Sequence, residues 1–122
     1  MKLRVINQTK GSVVADRADI ADTSAKRRRG LLKHSKLEPG EGLWITPCEG
    51  VHTFGMKFPI DVVFLTRQKK VIKVRPNMVR GRLAVSLRAH SVLELPAGML
   101  EKTNTLAGDQ MEFEKYEAPA NS

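Results

Sequence analysis

With 122 residues the chain is long enough for one hydrophobic core and too short for an independent second, since domains commonly run about 100–150 residues. Its formal charge of +8 and pI near 10.0 favour polyanionic or acidic partners without choosing among nucleic acid, an anionic membrane surface and small acids. No apolar run approaches the ~18 residues of a membrane span, Met1–Asn7 lacks the apolar region and cleavage site of a signal peptide, and a lone cysteine cannot form an internal disulfide; the expectation is a cytoplasmic protein.

Leu3–Asn7 alternates well enough for a first strand, and a turn over Asn7–Gly11 leads into β-branched Ser12–Ala15, which together predict a hairpin. Asp22 or Thr23 can cap a helix over Ser24–Lys33, where Ala25, Lys26, Arg27, Leu31 and Leu32 are good helix formers. Gly30 within that span marks either an early helix end or the close approach of another backbone. Glu38–Gly42, with one proline and two glycines, is a turn cluster, and Leu43–Ile45 follows as a strand.

Cys48–Phe64 concentrates more chemistry than any other stretch: a thiol, an imidazole, a thioether and an aspartate among apolar residues. It reads as two extended segments, Val51–Phe54 and Ile60–Leu65, around a loop at Gly55–Pro59. Strand geometry points Asp61 away from the face shared by Ile60 and Val62. Thr66–Lys70 connects Leu65 to Val71–Val74 as another hairpin, although it lacks the Gly, Asn or Asp that a tight primed turn prefers.

Pro76–His90 has weak periodicity and reads as a loop. Val92–Leu95 is a strand closed by Pro96–Gly98, and Gln110–Tyr116 alternates as a last strand after the turn Ala107–Asp109. Residues 1–116 are thus expected to form one β domain, with 117–122 a frayed tail. Many short strands, few helical stretches and frequent Gly/Pro turns predict a mainly β fold, a small closed or partly open barrel or sandwich with one or two short helices.

The order of short motifs resembles that of the uncharacterised family known as domain of unknown function 192 (DUF192, also UPF0127). The matching residues are Ala21–Thr23, Arg28–Leu32, Leu37–Gly42 as L-x-P-G-E-G, His52–Phe64, Val71-Ile72, Val92–Gly98 and Gly108-Asp109, which span nearly the whole chain. The resemblance implies a mainly β single domain, a small barrel of about seven strands or more with a short helix, and no established activity. One departure is chemical: basic Arg67–Lys70 stands where the family commonly has a D-x-x-G turn.

Within this frame Cys48 and His52 invite a thiol-enzyme reading, because a neighbouring imidazole lowers a thiol pKa. In extended chain, however, their Cα atoms stand roughly 13 Å apart, and a packed thiol is the simpler expectation. Cys48, His52 and Met56 offer soft-metal ligands, and His52 with Asp61 suits zinc, but no CxxC, HxH or HExxH spacing is present, so no metal or cofactor is expected. Asp61, bracketed by hydrophobes, either fixes a loop through backbone amides or an arginine or serves as a binding or catalytic carboxylate. Glu94 and Asp109 are further carboxylates that could pair with it; Asp109 after Gly108 reads more simply as a turn residue.

The reading is a binding or accessory module for an unknown small molecule or protein, with a pocket near His52, Met56, Asp61 and Glu94. A hydrolase-like or metal-assisted enzyme using His52 and Asp61 is the alternative. Arg28, Arg29, Lys70, Lys73 and Arg75 are candidate anion-binding residues. A nucleic-acid-binding barrel using Arg67–Arg88 is less favoured, because base stacking needs exposed aromatics and most of the few aromatics here lie in core patterns. From Val63 to Val92 there are eight basic residues and no acidic one.

Overall fold

The computed structural model describes residues 1–119, and part of the expected frayed tail, residues 120–122, lies outside them; 117–119 have no regular secondary structure. Among the described residues, nine strands and two short helices run in the order β1 (Lys2–Asn7), β2 (Ser12–Ala21), α1 (Ser24–Arg29), β3 (Glu41–Ile45), β4 (Gly50–His52), β5 (Ile60–Leu65), β6 (Val71–Met78), β7 (Leu83–Val85), β8 (Ser91–Pro96), α2 (Met99–Thr103) and β9 (Met111–Tyr116). The fold is mainly β, as the alternation and turn chemistry imply.

Seven strands form one sheet in the order β6-β5-β8-β3-β2-β1-β9, and β4 pairs with β7 in a separate two-stranded ladder. All neighbours in the large sheet are antiparallel except β2 and β3, which are parallel and joined through α1. The sheet curls until its edges meet at one end: Lys70 bridges Gln110, the Met111 amide donates to Lys69, and the Val71 amide donates to Asp109. It is a partly open barrel, with no continuous β6–β9 ladder to close it.

Burial on both faces explains the apolar runs in β5 and β8. Val63, Leu65, Leu93 and Leu95 join Leu3, Val5, Val14 and Trp44 in one core; Ile60, Val62, Phe64 and Val92 join Leu31, Ile45, Val51 and Met56 in another. Strand periodicity assigns alternate residues to opposite faces. At about 25 cal/mol per Å2 of apolar surface removed from water, these two layers supply the main drive for folding.

Three elements differ from the sequence reading. The helix ends at Arg29 rather than Lys33: Thr23 caps its start by accepting from the Lys26 amide at 3.2 Å, and Gly30 at φ +49° turns the chain so that Leu31 enters the core. The expected loop over Pro76–His90 instead completes β6 and contains β7, which finds its partner in β4 rather than in a sequence neighbour. The five-residue helix α2, the second of the one or two short helices expected, falls where the sequence marks no helix; its apolar Met99 and Leu100 are buried against the barrel core.

Two buried carboxylates secure turns. Asp61 accepts from the backbone amides of Asn77 (2.8 Å), Gly98 (3.0 Å) and Leu100 (2.8 Å), tying the end of β6 and the start of α2 to β5. Asp109 accepts from the Asn7 side-chain amide (2.9 Å), the Leu106 amide (3.0 Å) and the Lys10 ammonium (3.0 Å). In the β5–β6 connection Lys69 takes φ +69°, filling the left-handed position for which the sequence offers no glycine. Its ammonium lies 5.0 Å from the centre of the Trp44 ring, a cation–π contact that holds the residue there.

Candidate functional site

Glu94 sits at the centre of the sheet, on β8, with Leu43 of β3 opposite on one side and Val62 of β5 opposite on the other. The alternation that sends Leu93 and Leu95 into the barrel sends Glu94 to the opposite face. It is 5% exposed, and among the described residues no group hydrogen-bonds its carboxylate. Burial alone pushes its pKa from the ordinary 4.5 to about 7, because the charged form loses hydration without gaining a partner.

Above Glu94 is a cavity of about 340 Å3. Arg27, Arg28 and Arg29 of α1 line it together with apolar Leu31 and Ile45, and Cys48, His52 and Met56 come from the segment that includes β4. The local sequence makes this arrangement: Thr23 starts the helix, three arginines end it, and Gly30 folds Leu31 beneath them. The lining thus combines exposed guanidinium groups with a buried carboxyl. Such a cavity can hold an anionic group against guanidinium donors while a donor on the same molecule reaches Glu94.

Of the residues singled out from the sequence, the cavity gathers His52, Met56, Glu94, Arg28 and Arg29. Asp61 is elsewhere. It lies across β5–β8 from Leu95, on the barrel side of the sheet, while Val62 faces Glu94 on the other side. Both its oxygens accept from the three amides described above, and it lies on the opposite face of the sheet from Glu94. Lys70, Lys73 and Arg75 lie at or on β6, away from the cavity lining. Asp109 is in the turn before β9. Burial pushes its carboxyl up, but the hydrogen bonds from Asn7, Leu106 and Lys10 outweigh that and hold it below its usual range.

Cys48 and His52 share the cavity wall without forming a nucleophile–base pair. The thiol donates to the Gly50 carbonyl at 3.1 Å, and the imidazole is exposed and stacked on Phe54 with ring centres 5.2 Å apart. Burial, and then the nearby Glu94 and Glu49 carboxylates, raise the thiol pKa against the lowering influence of the Gly50 hydrogen bond and Arg27. Cys48 is therefore a thiol at neutral pH, the opposite of an activated cysteine. A second hollow of about 590 Å3 lies beyond it, between Pro47–Glu49 and Arg88–His90. Among the described residues no group of three or more His, Cys, Asp or Glu side chains is placed to hold a metal ion.

Arg27 joins Arg28 and Arg29 in the cavity lining, and Cys48, expected as a packed thiol, lies there too. The available signal was Gly30 directly after a run of four basic residues, which makes that run the last turn of a helix, exposed except for half-buried Arg27.

The family model of DUF192, described as an uncharacterised ACR, matches residues 5–113. The chain belongs to the DUF192 family. It is 32% identical over 121 residues to a UPF0127 protein of Thermococcus sibiricus, covering 93% of this chain and 76% of that protein. It is 31% identical over 116 residues to a UPF0127 protein of Pyrococcus abyssi, covering 89% and 96%. The DUF192 fold recurs in a protein of unknown function from Novosphingobium aromaticivorans, with a TM-score of 0.79, 22% identity and coverage of 92% of this chain and 84% of that one. A protein of Sinorhizobium meliloti, described as a candidate transcription regulator, gives a TM-score of 0.80 at 21% identity, with 92% of each chain covered. These two likenesses establish fold alone. Among the described residues, no helix of this DUF192 protein is long and apolar enough to cross a membrane.

Proposed function

We propose that this DUF192 protein is a small-molecule-binding module whose ligand occupies the cavity between α1 and β4. One observation carries the reading: Glu94 is a buried carboxyl with no hydrogen-bond partner among the described residues, bordering a cavity whose other polar groups include three arginines. Buried polar groups are nearly always paired within the protein, so one left open towards a cavity marks a place for an outside partner. The cavity volume is within the usual range of about 300–1,000 Å3 for ligand sites.

The matching ligand is small, carries a carboxylate or phosphate for Arg27–Arg29, and presents a hydrogen-bond donor to Glu94. Catalysis is less supported. Cys48 is protonated, and Asp61 is committed to backbone amides on the other face of the sheet.

Thermal unfolding in the presence of inorganic phosphate, small dicarboxylates and zwitterionic amino acids tests this. At a saturating concentration about a hundredfold above Kd, at least one class raises Tm by several degrees, an effect equivalent to about 2.7 kcal/mol. Glu94→Gln and Arg28→Ala each reduce that shift. The absence of any shift, or a shift that both variants retain in full, overturns the reading.

A further inference from the structure

The short β4–β7 ladder has one covered face and one bare face. Val51 and Ala84 are opposite each other and buried, whereas the neighbouring pairs, His52 with Leu83 and Gly50 with Val85, look outward. Leu83 is 61% exposed, Phe54 at 54% stacks on His52, and Leu87 at 78% tops the turn after β7. None of Phe54, Leu83, Val85 and Leu87 lines either cavity described above. All four are exposed, Val85 least at 41%.

The charge around them is almost all positive. Arg80 and Arg82 precede β7, Arg88 follows Leu87, and the Lys73 ammonium reaches the Val85 carbonyl at 2.8 Å. Glu49, whose carbonyl accepts from the Ser86 amide, is the neighbouring acid.

We propose that this face docks on an anionic phospholipid bilayer, with Leu83, Val85, Leu87 and Phe54 entering the interface and Arg80, Arg82 and Arg88 meeting lipid phosphates. Exposed aliphatic side chains suit a deformable apolar phase, and the surrounding arginines suit the negative surface of the same phase. A nucleic-acid strand would need a row of aromatic platforms, and Phe54 is the one Phe, Trp or Tyr side chain in this patch. A second copy of the chain would bring arginine against arginine. The docking face is independent of whether the cavity over Glu94 binds a ligand.

Co-sedimentation of the full chain with vesicles of phosphatidylglycerol and phosphatidylcholine, against pure phosphatidylcholine, provides the test. The protein pellets with the anionic vesicles and stays in solution with the neutral ones. Leu83→Asp and Leu87→Asp, both at exposed positions, each weaken binding by about tenfold or more. Leu106→Asp, a similarly exposed leucine (55%) in the turn before β9, leaves it unchanged. Arg80→Glu combined with Arg88→Glu also weakens it. Failure to pellet with anionic vesicles overturns the proposal, as does equal binding by the two β7-region variants. So does a mass doubling in solution that Leu83→Asp abolishes, or binding to a single-stranded oligonucleotide that Leu83→Asp weakens while vesicle binding is unchanged.

Discussion

Leu43 and Glu94 face each other across the β3–β8 ladder, an apolar side chain opposite a buried carboxyl. The pairing leaves Glu94 no partner within the sheet, and pH then acts on stability through this residue. The folded state holds the Glu94 proton up to about pH 7, while the unfolded chain releases it near 4.5. Between those values the folded state binds more protons, so Glu94 subtracts stability as pH rises through the window, by up to about 3 kcal/mol. Urea unfolding at both ends of the window measures the change, and Glu94→Gln removes this part of it. A Glu94→Gln protein with the same pH slope as the parent contradicts the assignment.

Asp61 differs in having partners: three backbone amides donate to it, and its loss leaves those donors unpaired. Asp61→Asn keeps the shape but replaces one acceptor oxygen by an amino group aimed at backbone N–H groups. It lowers unfolding free energy by about 2–4 kcal/mol. The loss shows in the urea midpoint and in faster hydrogen exchange at Leu100 and Asn77. Unchanged exchange at both amides is incompatible with the clamp.

Cys48 reacts slowly. With its pKa raised by burial, the thiolate fraction near neutral pH is below that of free cysteine, and alkylation by iodoacetamide is correspondingly slower. Glu94→Gln removes one of the charges opposing thiolate formation and speeds the reaction at pH values above the Glu94 transition. A Cys48 that alkylates faster than free cysteine indicates an activated thiol instead.

At the acid end the relevant group is Asp109. Its folded pKa lies below its unfolded one, so its contribution is present above the unfolded value and is lost as pH falls through the folded value. Asn7→Ala removes one of its three donors and leaves Thr105 without the Asn7 side-chain contact. The variant unfolds at higher pH than the parent in an acid titration followed by circular dichroism; an unchanged acid midpoint counts against this cluster.

Much of the fold was legible because its signals are local. The turn at Gly11, the Thr23 cap, the Pro-Gly cluster before β3 and the alternation in β9 each act within a few residues. β7 was hidden because Leu83-Ala84-Val85 is short, half exposed, and stabilised by β4, about thirty residues earlier. α2 was hidden because Met99–Thr103 has too few residues for helical periodicity to emerge and depends on burial of Met99 and Leu100. Strand alternation separates Asp61 from Val62, but only the pairing of Val62 with Glu94 reveals that the two carboxylates occupy opposite faces of one sheet. The cavity itself depends on where α1 lands, which no spacing in the sequence encodes.

The Lys70–Gln110 bridge joins the sheet edges where β6 and β9 begin, after which the two strands run apart. Their outer edges carry different chemistry: Lys73, Arg75 and Pro76 on β6, Glu112 and Glu114 with Lys115 on β9. Two molecules meeting β6 to β6 bring like charges together, and Pro76 breaks the row of amide donors. The complementary route is β6 of one molecule on β9 of the next. That contact is heterologous, and unless its rotation closes into a ring it propagates as a filament rather than ending in a dimer. The unfinished seam of the barrel thus sets the geometry that self-association would take.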